Sequence, residues 1–356
     1  MGKTIAFTSA ALNYLPKVRK LCASIRTHHP EWEIVLALAD ERSPAVDFAD
    51  EPIDRVLAVD DLDIPDRRRW TYFHAIVELA TAIKPFVLVE LLDDPEVDRV
   101  LYFDPDMVLF SRLDDLLHSL EGANLVLTPH LTKPETGLEG IRDNEISALK
   151  HGVYNLGFVG VNRTDEGRRF ARWWADRIYH FCVADIPNGL FTDQRWIDLA
   201  PAFFDGVGIL KSPRFNVATW NLPTRTVTGD MQAGFRVDGE PLGFYHFTGF
   251  DSGAHRVMAD KYATASPSVW ALIEWYAEEA RFDEDEAVSR LPWKYGAYSD
   301  GSRIPLEHRR LYRARPDLQD AYPEPFEAAP RSLKTWMEQQ GPIEYPEIFG
   351  AKKAVG

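Results

Sequence analysis

Cysteine is almost missing from this chain: Cys22 and Cys182 are the two in 356 residues, with no CxxC partner and no metal-ligand spacing. That excludes a disulfide framework and a thiolate metal site, and both read as small buried hydrophobes of a reducing compartment within segments of helical pattern. Long apolar runs are missing too. None approaches the roughly 20 residues that cross a bilayer. The short apolar start from Thr4 to Ala10, broken by hydroxyls and preceded by the single Lys3, reads as a first strand and not as a signal-peptide core. The expectation is a soluble, cytoplasmic protein, at most peripheral at the inner face of the membrane. Positive charge is the third shortage. Lys and Arg number 40 against 55 Asp and Glu, a formal net charge of −15, whereas a nucleic-acid surface needs clustered cations. The local basic groups Arg67 to Arg69 and Arg309-Arg310 read as solvated faces or ion-paired groups.

What is present is an ordinary globular composition, 45% hydrophobic and 27% charged, long enough for one large α/β domain or a catalytic domain with an extension. Strand patterns fall at residues 4–8, 33–39, 55–59, 99–103, 124–127, 157–161 and 244–247. Helical patterns fall at 14–28, about 70–92 with a break at Pro85, 113–120, 165–181, 191–199 and from Ser266-Pro267 to about Ala280. This alternation predicts a mainly parallel, doubly wound sheet, with ligands outside the carboxyl ends of the strands. Beyond about residue 282 Pro, Tyr and Arg become frequent and strand patterns end. The division expected is a catalytic domain over 1–262 and a helical and irregular extension over 263–356 packed on it.

Four short segments carry chemistry. Asp104-Pro105-Asp106 follows the strand at 99–103, and carboxylates at i and i+2 of extended chain point to one side. Two like charges after a buried strand call for a cation, and a divalent metal shared with a pyrophosphate would supply it; a solvated Asp-Pro-Asp turn is the plain alternative. Asn155 and Gly157 open the next strand, offering a polar side chain and an open backbone. Asp193 and Gln194 open a helix, where Asp193 is either a cap or a ligand for sugar hydroxyls. His246 lies inside an otherwise apolar strand that runs into Gly249; a lone histidine there is by habit a satisfied core residue.

In order and spacing, Asp104-x-Asp106, Asn155-x-Gly157, Asp193-Gln194 and His246-Phe247-Thr248-Gly249 resemble the motifs of the GT-A glycosyltransferases, in particular the family-8-like enzymes related to glycogenin and the bacterial galactosyl- and glucosyltransferases. The resemblance covers roughly residues 1–260 and implies a GT-A, Rossmann-like fold. It implies that Asp104, Asp106 and His246 hold a divalent ion, and a mixed carboxylate and imidazole set suits Mn²⁺, with Mg²⁺ the alternative. It places Thr8, Ala10 and Asn13 against the nucleoside, Lys84 near the donor phosphates or sugar, and Asp104, Gly157 and Gly249 at the donor. Asn155, Asp193 and Gln194 would bind sugar hydroxyls and frame the reacting face. One position departs: the family's late motif carries a lysine six residues after the histidine, where this chain has Ser252. Phosphate charge must then be met by the metal and the Gly249 backbone, or by Arg256, Lys211 or Lys261.

The function implied is transfer of a sugar from a nucleotide-diphosphate sugar, UDP-linked by the family's habit, to a hydroxyl of a glycan, glycolipid or protein acceptor in bacterial polysaccharide or glycoconjugate synthesis, with retention at the anomeric carbon. The departing phosphate oxygen would act as base, and a covalent route through Asp193 or Gln194 ranks second. Two other readings are weighed. A sugar-nucleotidyltransferase usually has a Gly-rich basic loop after its first strand, which residues 8–13 lack. A catalytically silent glycan- or partner-binding protein need not keep three metal ligands. The C-terminal part is the expected place for acceptor recognition or for subunit contact in a homodimer.

Overall fold

The computed structural model describes residues 2–279 and 287–349; the expected helix end at Ala280 lies outside them. The first seven strands are β1 (Lys3–Ala10), β2 (Glu33–Leu38), β3 (Arg55–Ala58), β4 (Val97–Phe103), β5 (Met107–Leu109), β6 (Leu125–Pro129) and β7 (Tyr154–Asn162). All but β5 join one seven-stranded sheet in the order Val207–Ile209, β6, β7, β4, β1, β2, β3. Pairing is parallel except around β7, which runs antiparallel to both β4 and β6. The α/β expectation holds: a mainly parallel mixed sheet flanked by helices, with a mostly helical C-terminal region.

The apolar runs explain the layering. Along β1, Ile5 and Phe7 enter one core with Leu79, Leu91 and Trp174, while Ala6 and Ala10 enter another with Leu15, Val18 and Leu21. A strand covered on both faces has no solvent side to be polar on, which is why β1 and β2 read as nearly continuous hydrophobic runs. The single reversed strand matters for function. Because β7 is antiparallel, its amino end lies beside the carboxyl end of β4, with Phe158 opposite Phe103. Asn155 is thereby brought to the same edge as Asp104.

The helical stretch expected over about 70–92 with a break at Pro85 is three helices: α2 (Arg67–Tyr72), α3 (Ile76–Ala82) and α4 (Lys84–Asp93). The first break is sealed by Glu78, whose carboxylate accepts from Ala75 N at 2.9 Å. At the second, Pro85 sits in the first turn of α4, where a missing N–H costs no helical bond. Arg67 and Arg68 reach Asp60 and Glu324, so two of the three arginines of this basic run are held in ion pairs.

Residues 287–349 pack on the first core through Tyr295, Tyr298, Leu311, Tyr312, Leu333 and Met337. Trp293 Nε1 donates to the Ala39 carbonyl at 2.8 Å, and Lys294 N donates to Asp40 at 3.0 Å, tying this part to the end of β2. Arg309, only 3% exposed, donates to the carbonyls of Tyr72 and Tyr295 and faces the rings of Tyr72 and Trp293. Burial pulls its pKa down to about 10. Arg309→Ala strands two buried carbonyls, each worth about 1–3 kcal/mol. A loss of about 3 kcal/mol in urea unfolding is therefore expected, with Arg309→Lys recovering little of it because one ammonium cannot span both acceptors. The helices Ala254–Tyr262 and Pro267–Glu279 share a third core with Val108, Tyr245 and Phe247, so residue 262 falls between two helices of one cluster.

Candidate active site

Asp104-Pro105-Asp106 forms a turn between β4 and β5, closed by Met107 N donating to Asp104 O at 3.0 Å. The expected extended geometry is thus replaced by turn geometry, yet the two carboxylates still converge, because a third residue meets them from the far end of the chain. β5 pairs antiparallel with the strand Phe244–His246, and the register sets His246 opposite Met107. Phe247 N donates to Asp106 O at 2.9 Å and locks that register at the turn. His246 Nε2 lies 3.1 Å from Asp106 Oδ1 and 3.7 Å from Asp104 Oδ2.

The donor atoms of Asp104, Asp106 and His246 lie within 4.8 Å of one another. The other oxygen of Asp104, Oδ1, is already engaged: it accepts from the Tyr102 hydroxyl and sits 3.1 Å from Lys84 Nζ. Oδ2 is left to the triad. His246 is 2% exposed and its Nδ1 has no hydrogen-bond partner among the described residues. Burial opposes charge on both Asp106 and His246, but each outweighs that penalty for the other, so the Asp106 carboxyl sits below its ordinary value and the His246 imidazole above. Two oxygens from half-buried carboxylates and one nitrogen from a buried imidazole, facing each other, fit a divalent ion with mixed O and N ligands.

Gly157 lies directly under the triad. A Cβ there would come 2.7 Å from His246 Cε1 and 2.4 Å from Met107 Cε, and its carbonyl accepts from Asp104 N at 2.8 Å. The glycine's role here is room for the triad, beneath the cavity wall. Thr8 is buried in β1 below the lining, and Gly249 forms a positive-φ turn at 71° after the strand of His246.

A cavity of about 920 Å³ opens over the triad, and Ala10, Asn13, Lys84, Asn155, Asp193 and Gln194 all line it. Asp193 makes no side-chain cap bond at its helix; its Oδ2 lies 3.4 Å from Lys84 Nζ instead. Burial holds the Asp193 carboxyl above its ordinary value, with Lys84 offsetting part of that. Lys84, in turn, is kept charged by Asp104 and Asp193 against the cost of its own burial. Three of the four hydrogen-bonding positions of the Gln194 amide are taken. Its Oε1 accepts from Leu156 N at 2.9 Å and from Asn155 Nδ2 at 3.3 Å, while its Nε2 donates to His151 O at 2.9 Å.

Sequence reasoning passed over His130, Trp220, Tyr102 and Tyr14, all of which line the cavity. Trp220 donates from Nε1 to His130 O at 3.1 Å and sets its ring edge-on to His246, 5.4 Å away, shielding the triad. Burial lowers the His130 pKa to about 4, so its imidazole is neutral and can accept from Asn155 Nδ2 at 3.2 Å. Its position just past β6, at the carboxyl edge of the sheet, was the one signal available for it.

The three cations expected to stand in for the missing lysine are elsewhere. Lys261 pairs with Glu139 and Asp143, Arg256 lies over the Trp270 ring, and Lys211 is exposed after the strand Val207–Ile209. None of them lines the cavity.

No protein-family model matches the chain. It is 27% identical over 176 residues to the uncharacterized protein YfnF of Bacillus subtilis (strain 168), covering 49% of this chain and 57% of that one. It is 25% identical over 248 residues to the uncharacterized protein YfnD of the same strain, covering 68% and 76%. The chain thus spans little more than half the length of the first relative. Among solved structures it is similar to the galactosyltransferase LgtC in complex with donor and acceptor sugar analogs, at 17% identity over 78% of this chain and 95% of that one, TM-score 0.45. It is also similar to the glycosyltransferase GlyE of Streptococcus pneumoniae TIGR4, at 16% identity over 84% and 67%, TM-score 0.44.

Proposed function

We propose that the protein is a metal-dependent glycosyltransferase that moves a sugar from a nucleotide-diphosphate sugar to a hydroxyl acceptor. The observation that carries this is the meeting of Asp104 and Asp106 with His246, some 140 residues later in the chain, at the floor of a cavity of about 920 Å³. That volume suits a nucleotide-sugar, and the residues expected at the nucleoside, Ala10 and Asn13, share the cavity with those expected at the sugar, Asn155 and Asp193.

In this reading Asp104, Asp106 and His246 hold Mn²⁺ or Mg²⁺. Such an ion supplies electrostatic stabilisation to the departing diphosphate without a proton. Lys84 holds Asp104 and Asp193 in place, and Trp220 excludes water from the triad. The Asn155 side chain, oriented by Gln194 and His130, faces the cavity where a sugar hydroxyl would sit. The Gln194 amide is engaged by Leu156, Asn155 and His151, and the Asp193 carboxylate is paired with Lys84. This supports same-face attack, with the leaving phosphate oxygen taking the acceptor's proton, and hence retention. A UDP-sugar donor and a bacterial glycan, glycolipid or protein acceptor belong to the same proposal. Among the described residues no helix is long and apolar enough to cross a membrane.

Thermal shift of the protein against UDP-, GDP- and dTDP-sugars, with and without Mn²⁺, tests the reading. One donor class should raise Tm by several degrees only when Mn²⁺ is present, since ligand at about 100 times its Kd contributes about 2.7 kcal/mol. Absence of any metal-dependent shift or donor hydrolysis across the panel would overturn it.

A further inference from the structure

The cavity is short of positive charge. Among the described residues that line it, Lys84 is the only lysine or arginine, and Asp104 and Asp193 already share it. With a divalent ion on the triad, the charges of Asp104, Asp106, Asp193 and Lys84 are balanced before any donor arrives. A diphosphate then brings negative charge for which the lining holds no further cation.

One ammonium lies immediately behind that lining. Lys17 of α1 (Leu15–His28) is 1% exposed and ion-pairs with Asp251. Its Nζ also donates to the Tyr14 hydroxyl, which itself donates to Asp251 Oδ2 at 2.9 Å. Tyr14 and Asp251 both face the cavity, so one layer of side chains separates the ammonium from the ligand space. The two partners of the pair are held very differently. Lys17 is packed inside a helix, whereas Asp251 is half-exposed on a turn whose flanking glycines, Gly249 and Gly253, have φ of 71° and 76°. Left-handed glycines at both ends let such a turn re-aim without steric cost. Asp251 also immediately precedes Ser252, where a lysine was expected.

We propose that Lys17 is the diphosphate-binding cation of this site, held by Asp251 until the donor's diphosphate takes that carboxylate's place. The proposal rests on the donor reading above and assigns to α1 a task expected of the turn at 249–253. It makes an unusual sign prediction: removing an acidic residue that touches the buried lysine strengthens ligand binding. Calorimetry with inorganic pyrophosphate and with UDP, each in Mn²⁺, on wild type, D251N, K17M and K17M/D251N tests it.

D251N should bind both ligands about tenfold more tightly than wild type, and K17M about tenfold more weakly. In the K17M background the D251N gain should shrink below about twofold, because the two effects run through one ion pair. The double variant removes both charges together and so guards against a fold lost to one unpaired buried charge. A D251N gain that persists in full without Lys17 would mean simple repulsion between Asp251 and the ligand, and overturns the proposal. Unchanged or weaker binding by D251N overturns it as well. A wild type that binds no diphosphate overturns this inference and the donor reading together, whereas a binding wild type indifferent to D251N overturns the inference alone.

Discussion

Asp106→Ala is expected to abolish the proposed Mn²⁺-dependent binding of a nucleotide-sugar and to lower turnover by about a thousandfold, while the protein stays folded. Asp106 Oδ1 is the carboxylate oxygen nearest His246, at 3.1 Å, so its loss leaves one carboxylate and one imidazole to hold the ion. Metal-derived stabilisation of a leaving group is worth several kcal/mol, which sets the scale of the loss. The fold survives because Asp106 contributes to it through its backbone: its carbonyl accepts from Phe247 N, and alanine keeps that bond. His246, relieved of the carboxylate that raises its pKa, becomes a neutral buried imidazole, the form burial favours. The measurements are the Mn²⁺-induced Tm shift, donor hydrolysis and far-UV circular dichroism. Full activity in the variant would remove the metal site from the mechanism.

The parts of this site differ in how far local sequence could reveal them. β1 and β2 are legible because burial on two faces imposes a run of apolar residues, and the helix Asp165–Phe181 falls on its expected bounds, capped by Thr164 accepting from Gly167 N. Asp104 and Asp106 are legible as a pair, with extended chain and turn left as alternatives, because proline between two aspartates suits both geometries. His246 is the opposite case. Alone in an apolar strand it reads as core, and what brings it to the two aspartates is its register opposite Met107 across about 140 residues, which no local pattern encodes. Only the order of four weak motifs brought it in. Asp193 looked like a cap because caps are local, but its real partner is Lys84, more than a hundred residues away. Lys17 was invisible for a related reason: lysine in the first turns of an amphipathic helix reads as a solvated face, and its partner Asp251 comes from far along the chain.

The same dependence on a distant partner makes Lys84→Met the second large effect. Its side chain is 8% exposed and that of Asp193 is 4% exposed, with Asp104 at 25% on the other side. Methionine keeps the length and the packing against Tyr102 but leaves the Asp193 charge without a cation. Breaking a buried pair from one side costs about 3–5 kcal/mol, and that loss is expected near pH 8 in chemical unfolding. Its pH dependence has a definite sign. Asp193 already has a folded-state pKa above its ordinary value because of burial, and Lys84 pulls it back in part. Without Lys84 it rises further, so the folded variant holds a proton that the unfolded chain, with an aspartate pKa near about 3.9, releases. The stability associated with that proton is present at low pH and lost as pH rises through the folded-state value. The deficit of K84M relative to wild type should therefore be small near pH 5 and full near pH 8. K84M/D193N, which removes both charges, should regain most of the stability at pH 8 while turnover stays roughly a hundredfold down, because Asp104 still lacks the cation that positions it. A deficit identical at pH 5 and pH 8 would assign the loss to the lysine's methylenes rather than its charge, and the electrostatic frame of Asp104, Lys84 and Asp193 would have to be abandoned.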